Sequence, residues 1–418
     1  MVVVFTNTFP YEKGETFFET ELPFLLALKR SVQIVPLYGA GEARPFPSTP
    51  ETPVTLSPPL LSFSPQNRSK LLSYGLFNRA PFFFAFKELF AQKTWRSFRK
   101  MWRLGTSWLL IRAALSKNRG LFDQLIKTAH SEQITLYFYW GDKSALLLPF
   151  LKKRAPFHKT VVRFHGSDLY EEANGIHPFR RLLFPAIDLA CPVSQHGAHY
   201  LQQRYGTLSP PISISRLGTS DRSLNPESQP TAPFHIVTCA RLIPLKRLHL
   251  IWEALLLLSQ SQRLPVPVRW TIIGEGPLRR ELEEAVMAIE TSAPSRLLSV
   301  HFTGHLSHDD VLDLYRKTPI DLFMLTSKSE GVPVSIMEAL SFGIPAMATT
   351  VGGVPEIVSN QTGYLLPTNP TPTEVAESLL DFILLPYDKR KIIRQAARAS
   401  WESNWNAEAN FARFCALL

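Results

Sequence analysis

The sequence has few cysteines, and none of them forms a metal-type cluster. Cys191, Cys239 and Cys415 are scattered through 418 residues, whereas structural zinc sites need closely spaced ligands. Cys191 and Cys239 lie in apolar, strand-like surroundings. This pattern favours buried thiols in a reducing compartment over a disulfide-stapled secreted domain.

Membrane-spanning and secretory signals are also lacking. No uncharged apolar run reaches the roughly 20 residues that a spanning helix needs. Residues 1–5 lack a basic start and predict a buried first strand instead of a signal peptide. A GxGxxG fingerprint is absent as well, so the sequence gives little support for dinucleotide binding.

Acidic residues are nearly absent between positions 68 and 119. This stretch holds twelve Lys and Arg residues and one acid, Glu88, with aromatic residues interleaved. It predicts basic aromatic helices over about 67–118. Such helices bind an anionic membrane surface; alternatively, the aromatic rings pack on the domain core and the cations are solvated. Nucleic acid binding is not expected, because no recognised nucleic-acid module accompanies the charge.

The length and the pattern of elements predict two domains. A chain of 418 residues exceeds one ordinary core. Apolar strand patterns alternate with helical patterns through both halves, which is typical of doubly wound parallel sheets. Residues 220–233 are polar and rich in Pro and Ser, and predict a linker; residues 43–66 predict a surface loop. The expected fold class is α/β, with two Rossmann-like domains on either side of a cleft.

Residues 321–358 carry the strongest local signals. An apolar strand ends in a polar turn that contains Glu330, and a helix containing Glu338 follows and stops at Gly343. Pro333 is predicted in the first turn of this helix, where its missing N–H costs nothing. Ligands bind beyond the carboxyl ends of parallel strands, and free helix N–H groups there contact phosphate or sugar oxygens.

In this order and context, the motifs resemble the retaining glycosyltransferases of the GT-B fold, in the large family 4 that builds bacterial polysaccharides and glycolipids. The resemblance covers nearly the whole chain. The matching segments are FTNTFPYEKGETF (5–17), HGSDL (165–169), PVS (192–194), ISRLGT (214–219), ARLIPLK (240–246), IIGEGPLRREL (272–282), FTGHLSHDDV (302–311), and the E-x7-E stretch with EALSFGIPAMAT and GGVPEIV.

The resemblance implies a division of labour between the domains. Residues 1–219 would bind the acceptor and residues 220–399 the nucleotide-sugar. Residues 400–418 would form a helix that crosses back to the first domain.

The resemblance also implies roles for the charged residues of the second half. Arg241 and Lys246 would neutralise the diphosphate of the donor and stabilise the leaving charge. Glu338 would hold both ribose hydroxyls, and Glu330 would lie near the transferred sugar. The family often has Gly directly after this Lys; Arg247 stands there in this chain, a departure of little expected consequence.

Further site residues follow from the same resemblance. His165 would lie close to the donor sugar, with Asp168 either orienting it or capping the next helix. The implied catalytic set is Glu330, His165, Arg241 and Lys246. The other implied donor-binding residues are Gly14, Glu15, Gly274, Gly276, Leu306, Gly331, Val332, Pro333, Val334 and Ser335.

The implied activity is transfer of a sugar, with retention, from a nucleotide-diphosphate-sugar to a glycan or lipid-linked acceptor in polysaccharide or lipopolysaccharide assembly. No Asp-x-Asp motif occurs in a suitable loop, so metal-independent transfer without a cofactor is expected. The expected location is the cytoplasmic face of the plasma membrane. Two alternatives stay open: a GT-B sugar-nucleotide epimerase, and an inactive glycosyltransferase-like partner subunit.

Overall fold

The chain divides into two compact units. The computed structural model describes residues 1–11, 15–46, 54–63, 88, 96–229, 232–261, 263–292 and 297–418. Unit 1 comprises Met1–Arg216 together with Glu408–Leu418, and unit 2 comprises Leu217–Ala407. The boundaries expected from the sequence were placed after residues 219 and 399.

Unit 1 is built on a parallel sheet with the order β3-β2-β1-β4-β5-β6. This is the doubly wound order, and the strands are almost wholly buried because helices cover both faces. β3 is a three-residue strand inside the stretch 43–66, so the prediction of an uninterrupted loop there was wrong; three residues are too few for a detectable period. The strands are β1 Val2–Thr6, β2 Val32–Pro36, β3 Val54–Leu56, β4 Thr135–Phe138, β5 Lys159–Phe164 and β6 Leu189–Pro192.

Helices connect these strands and bury apolar faces on the sheet. The long pair α2 and α3 precedes β4, and its inward face joins the core that includes Leu110, Ile111 and Phe122. The helices are α1 Thr16–Leu26, α2 Phe98–Lys117, α3 Arg119–Ser131, α4 Leu148–Lys152, α5 Glu171–Asn174, α6 Arg180–Leu183 and α7 Gln195–Tyr205.

Helix α2 has an apolar surface at its beginning. Phe98, Met101 and Trp102 are 78%, 40% and 50% exposed, and their spacing places them on one side of the helix. Trp108, further along, packs against the core. The remainder of the predicted basic helices, 67–87 and 89–95, lies outside the described residues. Across the part of the chain that the structure describes, no helix has both the length and the apolar character needed to cross a membrane.

Unit 2 repeats the topology of unit 1. Its sheet has the order β12-β11-β10-β7-β8-β9 and every described pair is parallel. The chain reverses its winding between the neighbours β7 and β10, the position where doubly wound sheets bind ligands. The strands are β7 Phe234–Cys239, β8 Val268–Ile273, β9 Leu298–Gly304, β10 Leu322–Leu325, β11 Ala346–Thr349 and β12 Gly363–Leu366.

Two helices of unit 2 begin with side-chain N-caps. Thr371 and Glu374 form a reciprocal capping box at the start of α12, and Ser307 accepts the Asp310 N–H at the start of α10. The helices are α8 Leu248–Gln260, α9 Arg279–Ser292, α10 His308–Lys317, α11 Val334–Ser341, α12 Pro372–Ile383 and α13 Tyr387–Asn404.

The last residues do not form the single helix expected over 400–418. Helix α13 runs on to Asn404, the chain turns, and a separate helix α14 spans Ala407–Cys415. The turn is fixed because the Thr219 N–H donates to Trp405 O at 3.0 Å and the Ala407 N–H donates back to Thr219 O at 3.0 Å. Pairing with residue 219, which is remote in sequence, is the reason that helical periodicity alone did not reveal the break.

A buried charge pair holds α1, β5 and α14 together within unit 1. Arg163 donates to Glu21, and both side chains are fully buried. Arg163 also donates to Ser215 Oγ at 3.1 Å and lies 3.9 Å from the centre of the Phe414 ring. Burial raises the pKa of Glu21, and the guanidinium of Arg163 opposes that shift. Removing one partner leaves an uncompensated buried charge, at a cost of about 3–5 kcal/mol.

Candidate functional site

The carboxyl edge of the unit 2 sheet gathers the predicted donor residues. The turn after β7 carries Arg241 and Lys246, and the turn after β10 carries Glu330. Because β7 and β10 are neighbours in the sheet, residues far apart in sequence meet here. Arg241 is exposed to solvent.

Lys246 and Glu330 are in direct contact. Lys246 Nζ lies 2.5 Å from Glu330 Oε1, and the two side chains are only 17% and 12% exposed. An ion pair of this geometry places one positive and one negative group at the ligand-binding edge, each neutralised by the other. A diphosphate that arrives at Lys246 would compete with the carboxylate of Glu330.

Two glycines bring the neighbouring turns into backbone contact. A Cβ on Gly274 would lie 2.0 Å from Ala240 O, and one on Gly276 would lie 2.3 Å from Leu242 O. Gly274 also has φ +137, which L side chains rarely adopt. The predicted roles of Gly274 and Gly276 in donor binding are untested, but their structural need is plain: only glycine lets the β8 turn lie on the β7 turn.

Glu330 is followed by the start of a helix whose N-cap offers no side-chain acceptor. α11 begins at Val334 after Pro333, which occupies the N-cap and makes no side-chain cap; the sequence had placed Pro333 inside the first turn. Val332 and Pro333 are buried, whereas Gly331, Val334 and Ser335 are half-buried. The first-turn N–H groups therefore start beside Glu330, where they suit phosphate or sugar oxygens.

A second glycine pair contacts the turn that carries Glu330. Gly352, with φ +52, lies so close to Glu330 that a Cβ there would meet Glu330 O at 1.8 Å. The Gly353 N–H donates to Gly331 O at 2.7 Å. The GGVPEIV motif thus fixes the backbone that carries Glu330, a role that the motif alone did not disclose.

Glu338 lies in the second turn of α11 in a desolvated position. Its side chain is 12% exposed, and burial raises its pKa to about 7, with Arg222 acting in the opposite direction. His308 Nδ1 lies 3.4 Å from Glu338 Oε1. Neither Arg222 nor His308 was singled out from the sequence, although His308 falls inside the FTGHLSHDDV segment.

Arg247 has a larger structural role than the sequence suggested. Its backbone has φ +48, a conformation that favours glycine. Its side chain donates four hydrogen bonds across the sheet edge: to Thr326 O at 2.7 Å, to Ser327 O and Thr368 O at 2.9 Å, and to Asn369 Oδ1 at 3.1 Å. Arg247 thus joins the turns after β10 and β12, a structural role that the sequence did not predict.

Leu306 lies in the turn between β9 and α10 and is half-buried. Gly304, two residues earlier, accepts the Gly274 N–H at 2.8 Å. The turn after β9 therefore continues the row formed by the turns after β7 and β8. Donor binding by Leu306 stays a prediction.

In unit 1, the carboxylate of Glu15 binds the loop after β1. Its buried carboxylate accepts the backbone N–H groups of Asn7 at 3.0 Å, Thr8 at 2.6 Å and Phe9 at 2.5 Å, as well as the Thr8 hydroxyl at 3.1 Å. The indole N–H of Trp140 donates to it too. Both oxygens are thus engaged in ordering the loop after β1. Gly14, predicted beside it, lies outside the described residues.

His165 lies at the end of β5, 7% exposed. Its ring packs on Trp140 with centroids 4.3 Å apart, and neither ring nitrogen has a hydrogen bond within the described residues. Asp168 does not cap α5, whose N-cap is Tyr170. Instead its carboxylate accepts the backbone N–H groups of His165 and Gly141, each at 2.6 Å. Asp168 therefore fixes the backbone of His165, and its Oδ2 also lies 3.9 Å from His165 Nδ1, within ion-pair distance of a protonated ring.

Asp142 and Asn7 add two polar groups at the same edge of unit 1. Asn7 Nδ2 donates to Asp142 Oδ1 at 3.4 Å. Burial raises the pKa of Asp142, and its carboxylate does not cap the short helix that follows. Asn7 falls inside the segment FTNTFPYEKGETF, but neither Asn7 nor Asp142 was predicted for the site.

The predicted donor residues of unit 2 thus lie at the carboxyl edge of its sheet, where Lys246 and Glu330 are in contact. In unit 1, Glu15 and His165 both contact Trp140. Residues 220–400 match the family model described as "Glycosyl transferases group 1". This part of the chain is therefore similar to that family. The match spans nearly all of unit 2 and includes Arg241, Lys246, Glu330 and Glu338.

Curated relatives match over a longer part of the chain. WcaL of Escherichia coli (strain K12), named for colanic acid biosynthesis, is 31% identical over 259 residues, covering 60% of this chain and 61% of WcaL. The amylovoran biosynthesis glycosyltransferase AmsK of Erwinia amylovora is 27% identical over 272 residues, covering 62% and 63%. The matched part of the chain therefore spans about three fifths of the length of these relatives.

Solved structures resemble the whole chain. Anabaena HepE in complex with UDP and glucose has a TM-score of 0.62 at 15% identity, covering 100% of this chain and 98% of HepE. The lipopolysaccharide outer core galactosyltransferase WaaB, in apo form, has a TM-score of 0.63 at 14% identity, covering 99% and 98%. At such low identity the likeness establishes the fold alone, and it confirms the predicted GT-B class of two doubly wound domains.

Proposed function

We propose that the protein is a retaining glycosyltransferase that moves a sugar from a nucleotide-diphosphate-sugar to a glycan or lipid-linked acceptor in the assembly of cell-surface polysaccharide or lipopolysaccharide. The observation that carries the proposal is the ion pair of Lys246 and Glu330 at the switch point of the unit 2 sheet, followed by the uncapped start of α11, the helix that carries Glu338. The WcaL and AmsK relatives support the pathway class.

In this proposal unit 2 holds the donor. Arg241 and Lys246 neutralise the diphosphate in place of a metal ion, and the first N–H groups of α11 contact its oxygens. Glu338 accepts hydrogen bonds from the two ribose hydroxyls. Glu330, released from Lys246 by the diphosphate, holds sugar hydroxyls and stabilises positive charge at the anomeric carbon.

The reaction breaks the bond between the anomeric carbon and the diphosphate oxygen. The acceptor oxygen forms the new bond on the same face, which retains the configuration. The acceptor proton passes to the leaving diphosphate oxygen, so the step needs no separate base. For His165, in unit 1, we propose the role that the resemblance implies, which is to hold a hydroxyl of the donor sugar through a ring nitrogen; neither ring nitrogen has a hydrogen bond within the described residues.

A binding screen followed by an activity screen tests this function. Nucleoside diphosphates are titrated first, starting with UDP because HepE was solved with it; nucleotide-sugars and lipopolysaccharide acceptors follow. We expect Glu330→Ala to abolish transfer while it keeps donor binding, and Arg241→Ala to weaken nucleoside-diphosphate binding. Unchanged turnover in both variants would contradict the site. Interconversion of the sugar without an acceptor would identify an epimerase.

We also propose that unit 1 associates with an anionic membrane surface through the start of α2. Phe98, Met101 and Trp102 form an exposed apolar face, and the exposed cations Arg99 and Lys100 lie beside it. Aromatic residues flanked by cations favour the interface of an anionic bilayer. At this membrane surface the protein would meet a lipid-linked acceptor.

Vesicle flotation tests the membrane proposal. The wild-type protein is expected to float with phosphatidylglycerol vesicles and much less with phosphatidylcholine vesicles. Phe98→Ser with Trp102→Ser should abolish flotation. Leu384→Ser is the matched control, since Leu384 is 56% exposed and lies in unit 2. Equal flotation with both lipids, or of all variants, would contradict the proposal.

A further inference from the structure

Unit 2 contains a small cavity at the amino edge of its sheet, opposite the edge that carries Lys246 and Glu330. The cavity has a volume of about 70 Å³. It lies where β7 starts at Phe234 and where α13 starts at Tyr387. A space of this size holds a few waters or one small ion, and it is far too small for a nucleotide.

Two acidic side chains face the cavity, and both are already satisfied. Glu227 accepts a hydrogen bond from the Tyr387 hydroxyl at 2.5 Å and pairs with Lys391 at 3.7 Å. The hydrogen bond from Tyr387 lowers the pKa of Glu227 and keeps it ionised. Asp321 accepts the backbone N–H of His235 at 2.8 Å and lies close enough to Arg394 to interact with its charge.

Two of the three cations that line the cavity also have partners, and the third, Arg390, differs. Lys391 has Glu227 as its partner. Arg394 donates to Ile320 O at 2.7 Å and to Asn225 O at 2.9 Å, besides its interaction with Asp321. Arg390, in contrast, has no carboxylate partner among the described residues, and its guanidinium carbon lies 5.8 Å from the centre of the Phe234 ring.

Arg390 also has an unsatisfied donor. Its Nε is buried and has no hydrogen bond within the part of the chain that the structure describes, and the same holds for the hydroxyl of Ser228. Both residues line the cavity. Buried polar atoms are normally paired with protein, water or a ligand. Two unpaired donors thus line one cavity, and one of them is cationic, so the cavity suits an anionic acceptor.

The start of α13 adds to the positive potential of the cavity. This helix has 18 residues, and its N-cap, Pro386, provides no side-chain cap. Asp388 lies in the first turn of this helix, so an anion beside Tyr387 and Arg390 would share the positive end of the helix dipole with it. Phe234 and Val266 supply apolar surface to the cavity, which lowers the local dielectric and strengthens charge interactions.

We propose that this cavity is a binding site for a small oxyanion, a phosphate or a carboxylate group, held by the Arg390 guanidinium and the Ser228 hydroxyl. The site is separate from the donor site, since it lies at the other edge of the unit 2 sheet. It does not depend on the proposed glycosyl transfer, because each contact that defines it belongs to the cavity itself.

Titration of the folded full chain with inorganic phosphate, and separately with acetate, tests the proposal. Phosphate could also bind at Arg241 and Lys246, so the titration is done in an Arg241→Ala/Lys246→Ala background with chloride holding the ionic strength constant. We expect saturable binding by calorimetry and a rise in melting temperature. The ion that binds more tightly, phosphate or acetate, identifies the oxyanion class.

Matched substitutions assign the binding to the cavity. Arg390→Gln should weaken binding at least about 10-fold, the factor expected when a charge-assisted hydrogen bond is lost. Ser228→Ala, a mild change that keeps the fold, should weaken it several-fold. Lys389→Gln removes a neighbouring exposed cation and should have no effect. No saturable response to either ion, or equal binding by all variants, would overturn the proposal.

Discussion

Lys246 and Glu330 neutralise each other across the carboxyl edge of the unit 2 sheet, with Nζ and Oε1 2.5 Å apart. Each is a candidate catalytic residue, and each is held by the other in the absence of ligand. The pair joins the turn after β7 to the turn after β10. Donor binding would exchange a carboxylate for a diphosphate at Lys246 and leave Glu330 free to face the sugar.

The first prediction concerns this exchange. Lys246→Ala should weaken nucleoside-diphosphate binding about 10- to 100-fold, which corresponds to about 1.5–3 kcal/mol for a charge-assisted bond. The loss should exceed that of Arg241→Ala, because the substitution also leaves Glu330 unpaired and facing the phosphates. Calorimetric titration with nucleoside diphosphate measures it, and the matching nucleoside, which lacks phosphate, serves as the control ligand.

A double substitution separates the two effects. Lys246→Ala/Glu330→Ala should bind nucleoside diphosphate more tightly than Lys246→Ala alone, since the repelling carboxylate is gone. If the double variant binds no better, the ion pair is unrelated to diphosphate binding.

The second prediction concerns pH and Glu338. Its pKa is raised to about 7 by burial, whereas two ribose hydroxyls donate more strongly to the ionised carboxylate than to the protonated one. Ligand binding should therefore strengthen as pH rises from 6 to 8 and should release a proton below pH 7. Calorimetry in buffers of different ionisation enthalpy detects the proton. Glu338→Gln should abolish this release and so separate it from titration of the phosphate of the ligand; an unchanged release would contradict the assignment.

Glu338 also makes the stability of the unliganded protein depend on pH. The pKa in the folded state lies above the ordinary value of 4.5, so the folded chain binds more protons than the unfolded chain between pH 4.5 and 7. The free energy of unfolding should therefore fall with rising pH across this window and level off above it. The contribution is about 3 kcal/mol at most, and Glu338→Gln should remove it in urea unfolding.

The third prediction tests Arg247. Arg247→Gly loses four hydrogen bonds but relieves a left-handed backbone, with an expected net destabilisation of about 1–3 kcal/mol. Arg247→Ala loses the same bonds and keeps the strain, so it should be less stable by about 1 kcal/mol more. Chemical unfolding of both variants measures the difference. Equal stability of Arg247→Gly and wild type would show that the side chain is dispensable, as the sequence first suggested.

The fourth prediction tests the support behind Glu330. Gly352→Ala would place a Cβ 1.8 Å from Glu330 O at a residue with φ +52, so the backbone at Glu330 must move. We expect a destabilisation of about 2 kcal/mol or more and loss of transfer activity. Gly120→Ala is the control, because a Cβ there meets nothing within 4 Å and its helix should be neutral to the change or gain up to about 1 kcal/mol.

Much of the fold could be predicted from local patterns. Buried parallel strands such as Val2–Thr6 and Leu322–Leu325 are short continuous apolar runs, and the alternation of such runs with helices indicates a doubly wound sheet. The turns that follow such strands, and the helix after the second of them, contain Lys246, Glu330 and Glu338, which the motifs also indicated as site residues. The three-residue strand Val54–Leu56 was not predicted, because it is defined by its pairing with β2 and is too short to show a hydrophobic period.

The features that were missed depend on contacts between remote residues. The positive φ of Arg247 and its bonds to residues 326–369 have no local signal except the Gly that related sequences often place there. Glu15 reads as a loop acid, but its carboxylate is occupied by donors from residues 7–9 and Trp140. The break at Asn404 depends on Thr219. Periodicity describes one segment at a time and contains none of this information.

Unit 1 includes residues that are synthesised after unit 2. Helix α14 supplies Phe414, which packs on Tyr137 with ring centroids 4.9 Å apart and lies over the buried Arg163. A ribosome therefore completes unit 2 before it delivers the helix that closes the core of unit 1. The amino-terminal domain cannot reach its final state first, and a fragment ending at residue 216 would expose the apolar surface that α14 covers.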